Sequence, residues 1–249
     1  MTSASSPGPS PRAHPRPRSF EEVWAEVESF PGWLTPEQAR RLWDGCADLP
    51  PGSTVVEIGS YQGRSGSVLA AAVGPKGGRI TAIDPFVGGL PRGVIGSQAD
   101  FESNLERAGV RDVVDLLVCR SAEALPNWDS PIDMLYIDGK HDVVTVLKDL
   151  GWVRHLRPGR EVAIHDSFSS VGVTLGLLVG VLFRGRLRYL GRTGSLAVFR
   201  RERPTTASRL QMLGQLPWFA RNVVIKVLRR LHLHGPARAL GHDQPADPF

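Results

Sequence analysis

An α/β fold, a doubly wound sheet ended by an antiparallel hairpin, is what this 249-residue sequence predicts. Three observations carry that expectation. Apolar runs at 54–58, 79–83, 113–119, 132–137 and 162–164 alternate with helical segments, giving five β–α units. Two further runs, 187–190 and 196–199, flank a Gly-Arg-Thr-Gly turn and read as a hairpin. The five runs end in polar residues: Glu57, Asp84, Ser121, Asp138 with His141, and His165 with Asp166. Open α/β sheets bind ligands at that edge, outside the carboxyl ends of their strands.

Taken in order, residues 1–18 are rich in Pro, Ser and Arg. They are expected to be disordered, because nothing in them offsets the ordering entropy, and they lack the apolar run of a signal peptide. Order begins at Ser19-Phe-Glu-Glu22, the spacing of a capping box, with a helix to about residue 29. Thr35-Pro-Glu-Gln38 repeats the signal with Pro at the first helical position, and its helix continues to about 48. This leading pair, 19–49, is expected to form a lid or a dimer surface, the latter implying a homo-oligomer.

The catalytic body is expected over 50–203. Val55, Val56 and Ile58 form a buried strand that enters a turn carrying Gly59 and Gly63, followed by a helix over 65–73. Residues 86–96 are Gly-rich and read as a mobile loop beside the pocket, before a helix over 98–108. A helix over 141–155 shows an apolar stripe at Val143, Val146, Leu147, Leu150 and Val153. Arg157-Pro-Gly159 turns into the fifth strand. The apolar stretch 171–183 is too short to span a bilayer and reads as a core helix.

Charge is unevenly placed. Residues 1–20 carry +3 and 200–249 carry +6, whereas 21–199 carry −4. The basic balance therefore belongs to the ends, which argues against a nucleic-acid-binding core. The two cysteines, Cys46 and Cys119, stand in no metal or redox spacing and read as reduced thiols of a cytoplasmic protein.

The first turn excludes two common ligand loops. Gly-x-Gly-x-x-Gly is absent, since position 61 is Tyr, and no Gly-Lys-Ser/Thr follows. Glu57 would repel a pyrophosphate and suits a ligand with a cationic or hydroxyl-bearing end. A nicotinamide-dependent oxidoreductase is disfavoured on the same ground. The plain alternative is a strand–helix turn that needs two glycines.

The set Val55-Val-Glu57-Ile-Gly59-Ser60-Tyr61-Gln-Gly63-Arg-Ser65, Ile83-Asp84-Pro, Tyr136-Ile-Asp138-Gly-Lys-His141 and Leu156-Arg-Pro-Gly159…Ile164-His165-Asp166 resembles class I S-adenosylmethionine-dependent methyltransferases. Within them it is similar to the small bacterial sugar and natural-product O-methyltransferases, over roughly 50–200. The resemblance implies a seven-stranded Rossmann-like sheet whose last strand is antiparallel. It implies that the turn, with Glu57, Gly59, Ser60, Tyr61, Gly63 and Ser65, holds the methionine part of the cofactor. It places Asp84 on the ribose hydroxyls and Ser121 and Ala122 near the adenine, with Asp138 also on the cofactor side. Two positions depart from the family pattern: Arg160 stands where a second Gly is frequent, and Tyr61 replaces the middle glycine of the stricter fingerprint.

Asp138 and Asp166 end neighbouring strands of the expected sheet. Strands lie about 4.8 Å apart, so both carboxylates reach one hard cation. In metal-dependent relatives these positions bind such an ion, here expected to be Mg²⁺, which takes one or two protein carboxylates. Related enzymes often use a further acid or amide beside the second Asp; here its neighbours are His165 and Ser167, neither of that kind, and the third ligand stays open. His141, three residues after Asp138, is expected as the general base, since a neutral imidazole can take a proton near pH 7. The alternatives are a helix cap for His141, a helix cap for Asp166 and a structural role for His165.

Residues 204–249 form a basic extension. Over 217–231, Ala220, Val223, Val224, Val227, Leu228 and Leu231 share one side of a helix, and Arg221, Asn222, Lys226, Arg229 and Arg230 the other. Such a helix can lie on an anionic membrane, so peripheral membrane contact is expected through 217–233; packing on its own domain or on a second subunit is the alternative. The function expected is O-methylation of a sugar or other small-molecule acceptor. The competing expectation is a non-catalytic cofactor-binding or membrane-associated scaffold.

Overall fold

Seven strands form one sheet in a computed structural model of the chain, in which residues 15–87 and 96–240 are described. β1 (Thr54–Ile58), β2 (Arg79–Ile83), β3 (Val114–Leu117), β4 (Ile132–Ile137) and β5 (Leu156–Ile164) run parallel. β6 (Leu187–Thr193) and β7 (Leu196–Arg201) complete the order β3-β2-β1-β4-β5-β7-β6, with β7 antiparallel to both neighbours. The doubly wound sheet and its terminal hairpin are as the sequence predicts.

Side chains alternate across a strand, so each strand feeds two cores. Val55, Ile80, Met134 and Tyr136 face a layer built from α1 (Phe20–Val27), α2 (Pro36–Ala47), α3 (Arg64–Val73) and α4 (Gln98–Arg107). Val56, Ile58, Leu135 and Ile137 face α6 (Val143–Asp149) and α7 (Val171–Arg184). Trp152, Phe101 and Phe30 are fully buried in these layers, each contributing about 2–3 kcal/mol of hydrophobic stabilisation.

The leading helices start where expected, each on a complete capping box, Ser19 with Glu22 and Thr35 with Gln38. They enter the core through Val23, Val27, Leu42 and Cys46, and Arg64 of α3 donates to the carbonyls of Glu28, Phe30 and Leu34. A lid or dimer role would fall to their outer faces. Of the tail expected to be disordered, 1–14 lies outside the described residues, and Arg18 is placed, donating to Ala108 O and pairing with Glu26. Most of the 86–96 loop, 88–95, also lies outside them.

Four expected elements change, the first being the hairpin turn: Gly191, Arg192 and Thr193 belong to β6 and pair with β7. The helix over 141–155 is α6 followed by a 3-10 segment, Leu150–Arg154, because Asp142 caps α6 from Thr145 N and the ladder tightens around Gly151. The fifth strand begins at Leu156: Ile132 pairs Leu156 and Met134 pairs Glu161, so Arg157-Pro-Gly159 is looped out as a bulge inside β5. The third strand is only Val114–Leu117, a short edge strand.

Candidate active site

The chain leaves β1 toward β2 and β3 but places β4 on the other side, so a crevice opens at the carboxyl ends of β1 and β4. Gly59 and Asp138 meet there. Asp138 N donates to Ile58 O at 2.7 Å, and a Cβ on Gly59 would overlap the Asp138 carbonyl. Gly59 and Gly63 both hold left-handed φ, 84° and 82°, which glycine adopts without strain. Tyr61 takes φ 47° between them and packs on Trp33 at 5.2 Å between ring centroids.

Glu57 lies beneath this turn and is fully buried. Ser65 Oγ donates to its Oε1 at 2.5 Å, while Oε2 has no hydrogen-bond partner among the described residues. Burial pushes the carboxyl up to about 7, against the opposing pull of the Ser65 bond. Asp84 pins the turn from the side: Oδ2 accepts from Ser60 N at 2.8 Å and Tyr61 N at 2.9 Å, and Oδ1 from Phe86 N at 2.7 Å. Three of about four lone-pair sites of that carboxylate are thereby used.

Ser121 opens the short α5 (Ser121–Ala124), with Ala122 half-buried beside it. Ser121 Oγ donates to Asp149. The second oxygen of Asp149 faces Gly139, where a Cβ would stand 3.0 Å away, and burial pushes Asp149 up to about 6. Ser121 is thus tied to the β4 rim through a residue that no motif marked.

The acids and histidines converge on the same rim. Asp138 Oδ2 accepts from the buried Tyr136 hydroxyl at 3.0 Å. Asp166, buried, has φ 53°, and Phe168 has φ 60°; two strained non-glycine residues in three mark an over-determined segment. His141 Nε2 stands 3.1 Å from Asp166 Oδ2 and 3.8 Å from Asp138 Oδ1. His165 Nδ1 stands 3.4 Å from Asp138 Oδ1 and 3.5 Å from Asp166 Oδ2. Burial disfavours charge on both imidazoles, but the two carboxylates outweigh it: His141 is raised, and His165 well raised, above the ordinary value. Asp138 is in turn held below the usual carboxylate range, its burial outweighed chiefly by His165.

One ligand atom each from Asp138, His165 and Asp166 lies within 4.8 Å of the others. Ligand atoms about 2.1 Å from one ion stand roughly 3.0–3.4 Å apart, which the observed separations approach. A cavity of about 10 Å³, lined in part by Asp138, His141 and His165, adjoins them, room for about one water or one ion. A larger cavity of about 470 Å³ lies at the opposite rim among Arg41, Asp133, Glu161 and Arg200, with Gly159 and Arg160 of the fifth-strand motif in its lining but none of the strand-end acids.

Residues 56–167 match the protein-family model described as a methyltransferase domain. The sheet has the class I methyltransferase fold. Among solved structures, the chain is similar to the O-methyltransferase TomG from Streptomyces achromogenes, solved with S-adenosylmethionine, at 20% identity and TM-score 0.54 over 74% of this chain and 87% of that one. It is similar to an O-methyltransferase from Bacillus cereus in complex with S-adenosylhomocysteine, at 20% identity and TM-score 0.52 over 73% and 90%. The O-methyltransferase NovP aligns at 16% identity and TM-score 0.58 over 74% and 88%. At these identities the likeness to solved structures is one of fold.

The candidate residues fall into four groups: Glu57, Ser65 and the glycines; Asp84 with Ser60 and Tyr61; Ser121 and Ala122, backed by Asp149; and Asp138, His141 and Asp166. His141 does not cap α6, a role taken by Asp142, and Ser170 rather than Asp166 occupies the cap position of α7. His165, read from sequence as a structural alternative, joins the acids. Tyr136, Asp149 and Gln38 were not singled out as site residues.

The tail packs differently from its sequence pattern. α8 (Thr206–Leu213), α9 (Leu216–Arg230) and α10 (His234–Ala239) follow the sheet. α9 lies over the 168–169 segment by its polar side: Asn222 donates to Phe168 O and Lys226 to Ser169 O. Val224, Val227 and Leu231 face outward. No helix among the described residues is long and apolar enough to cross a membrane.

Proposed function

We propose that this methyltransferase moves a methyl group from S-adenosylmethionine to a hydroxyl of a sugar or another small metabolite, assisted by a divalent cation. The observation that carries this reading is the cluster of Asp138, His165, Asp166 and His141 beside the glycine turn, on the rim where β1 and β4 diverge. The O-methyltransferase fold neighbours, two of them solved with S-adenosylmethionine or its demethylated product, support the donor and the oxygen acceptor.

The turn over 57–63 would receive the methionine end of the donor, with its glycine backbone making the close approach. Glu57 is buried to its tip, so it attracts a cationic amine by its field and by orienting Ser65. Asp84 pins the turn and retains a lone pair for a ribose hydroxyl. Ser121 and Ala122, backed by Asp149, would border the adenine. S-adenosylmethionine supplies an electrophilic methyl carbon on a sulfonium.

Asp138 and Asp166 would hold the cation, expected as Mg²⁺ from their oxygens alone. The orphaned buried Nδ1 of His165 and the ion-sized cavity are the features of this chain that fit one. A bound divalent ion lowers the pKa of a hydroxyl that it binds. His141, with its ring at the same rim and 37% of its side chain exposed, takes the proton released by the acceptor. Two unpaired cysteines fit a reducing, cytoplasmic setting.

Transfer of label from methyl-labelled S-adenosylmethionine to a panel of sugars and hydroxylated metabolites tests the reading. His141→Ala is expected to lower kcat by about 10²–10⁴-fold with S-adenosylhomocysteine binding retained. Full turnover in EDTA would remove the cation from the mechanism, and no turnover with retained donor binding would favour a scaffold.

The outward apolar stripe of α9 favours a second reading for the tail alone, peripheral contact of 217–233 with an anionic membrane or homo-oligomerisation. Sedimentation with anionic liposomes that is the same with and without 204–249 would end the membrane form of it.

A further inference from the structure

We infer that His165 Nδ1 is the third protein ligand of the cation, and that this imidazole makes the site one for a first-row transition ion such as Mn²⁺ rather than for Mg²⁺. The inference rests on the metal-assisted reading above and deepens it.

The tautomer of His165 is set by a residue 127 positions away. Gln38, on the first turn of α2, accepts at Oε1 from Thr35 N at 3.0 Å. A backbone N–H only donates, so this atom is the amide oxygen. The amide nitrogen of Gln38 points the other way and donates to Ser195 Oγ at 3.0 Å. The orientation of the amide is therefore determined at both ends. His165 Nε2 lies 3.1 Å from that same Oε1 and must be the donor. In the neutral ring Nδ1 then carries the lone pair.

That lone pair faces the two carboxylates. His165 is 3% exposed, and its Nδ1 makes no hydrogen bond among the described residues while standing 3.4 and 3.5 Å from the Asp138 and Asp166 carboxylates. Without an ion the two carboxylates favour a proton on that nitrogen, and a cation bound between them takes the proton's place on the lone pair. The arrangement is that of ligating histidines, which donate their second ring nitrogen to a carbonyl that fixes ring orientation. Gln38 is accordingly a positioning residue, reaching the site from the leading helices.

The donor set then selects the ion. Mg²⁺ favours all-oxygen surroundings, whereas imidazole nitrogen favours the first-row transition ions over it, Mn²⁺ being the weakest-binding of that series. A site with two oxygens and one nitrogen belongs with the second group.

The full-length protein, stripped with a chelator and dialysed, is titrated calorimetrically with MnCl₂ and separately with MgCl₂. One Mn²⁺ site, at least about tenfold tighter than Mg²⁺, is expected. His165→Asp, which restores an all-oxygen set, is expected to erase that preference. Gln38→Ala should weaken Mn²⁺ about tenfold while leaving the site composition intact. Mn²⁺ and Mg²⁺ binding within threefold of each other in the unaltered protein overturns the inference, and that comparison needs no variant to fold. An unchanged Mn²⁺/Mg²⁺ ratio in a folded His165→Asp protein, judged by its melting curve, overturns it too. Parallel titration with S-adenosylhomocysteine separates the readings: donor binding without Mn²⁺ binding removes the cation and spares the methyltransferase assignment.

Discussion

The two rims of the sheet treat their acids in opposite ways. At the amino-terminal rim each carboxylate meets guanidinium groups: Glu161 pairs with Arg41 at 2.5 Å and Arg200 at 3.0 Å, and Asp133 with Arg157 at 3.1 Å. At the carboxyl-terminal rim Asp138 and Asp166 meet imidazoles, a phenol and a serine hydroxyl. Among the described residues no Lys or Arg stands within ion-pair distance of either. The first rim is neutralised internally and holds strands together. The second is left needing positive charge, which an added cation, a proton or a cationic ligand can provide. Charge density alone does not mark a site, and the larger cavity lies at the wrong rim; buried carboxylates met by titratable imidazoles rather than by fixed guanidinium charges, beside a glycine turn, do mark one.

That contrast can be broken at three points, from the largest effect down. Asp138→Asn removes a negative charge from the carboxyl-terminal rim and should reduce methyl transfer by on the order of 10³-fold, measured against the unaltered protein with the same acceptor. Turnover within a few-fold would place the chemistry elsewhere.

Glu57 tests the same rim through stability. Its folded pKa is about 7 against an ordinary 4.5, so between those values the folded chain keeps a proton that the unfolded chain has lost. Stability therefore falls as pH rises from 4.5 to about 7, by roughly 3 kcal/mol at most. Melting curves of Glu57→Gln across that range should lose this part of the slope. A parallel profile for both proteins would mean that Glu57 is not buried as described.

Arg41→Ala probes the neutralised rim. Glu161 keeps Arg200, so the cost should be about 1 kcal/mol in denaturant melts, with methyl transfer unchanged. A loss of activity as large as that of Asp138→Asn would erase the distinction between the rims.

Much of this was legible in the sequence. The strand ends announce themselves, because an apolar run must stop where the chain needs a turn, and Gly59, Asp84, Asp138 and Asp166 stand at those stops. Capping boxes at Ser19 and Thr35 gave helix starts from local chemistry alone. His165 was harder to read, since an in-strand histidine looks alike whether it packs or ligates. The deciding partner, Gln38, comes from α2, and no local pattern links the two. The same holds for Asp149, which reaches Ser121 across 28 positions. The orientation of α9 was hidden for a related reason. Amphipathic spacing shows which residues share a side, but the carbonyls of Phe168 and Ser169 drew the polar side inward.

Gln38 gives the leading helices a stake in the chemistry that their distance from every strand end conceals. A chimaera that grafts this sheet behind another chain's amino-terminal segment would keep every motif residue and still release the ring of His165. Only grafts that bring a glutamine to the same spot, held by a backbone amide and a serine, would inherit the choice of ion.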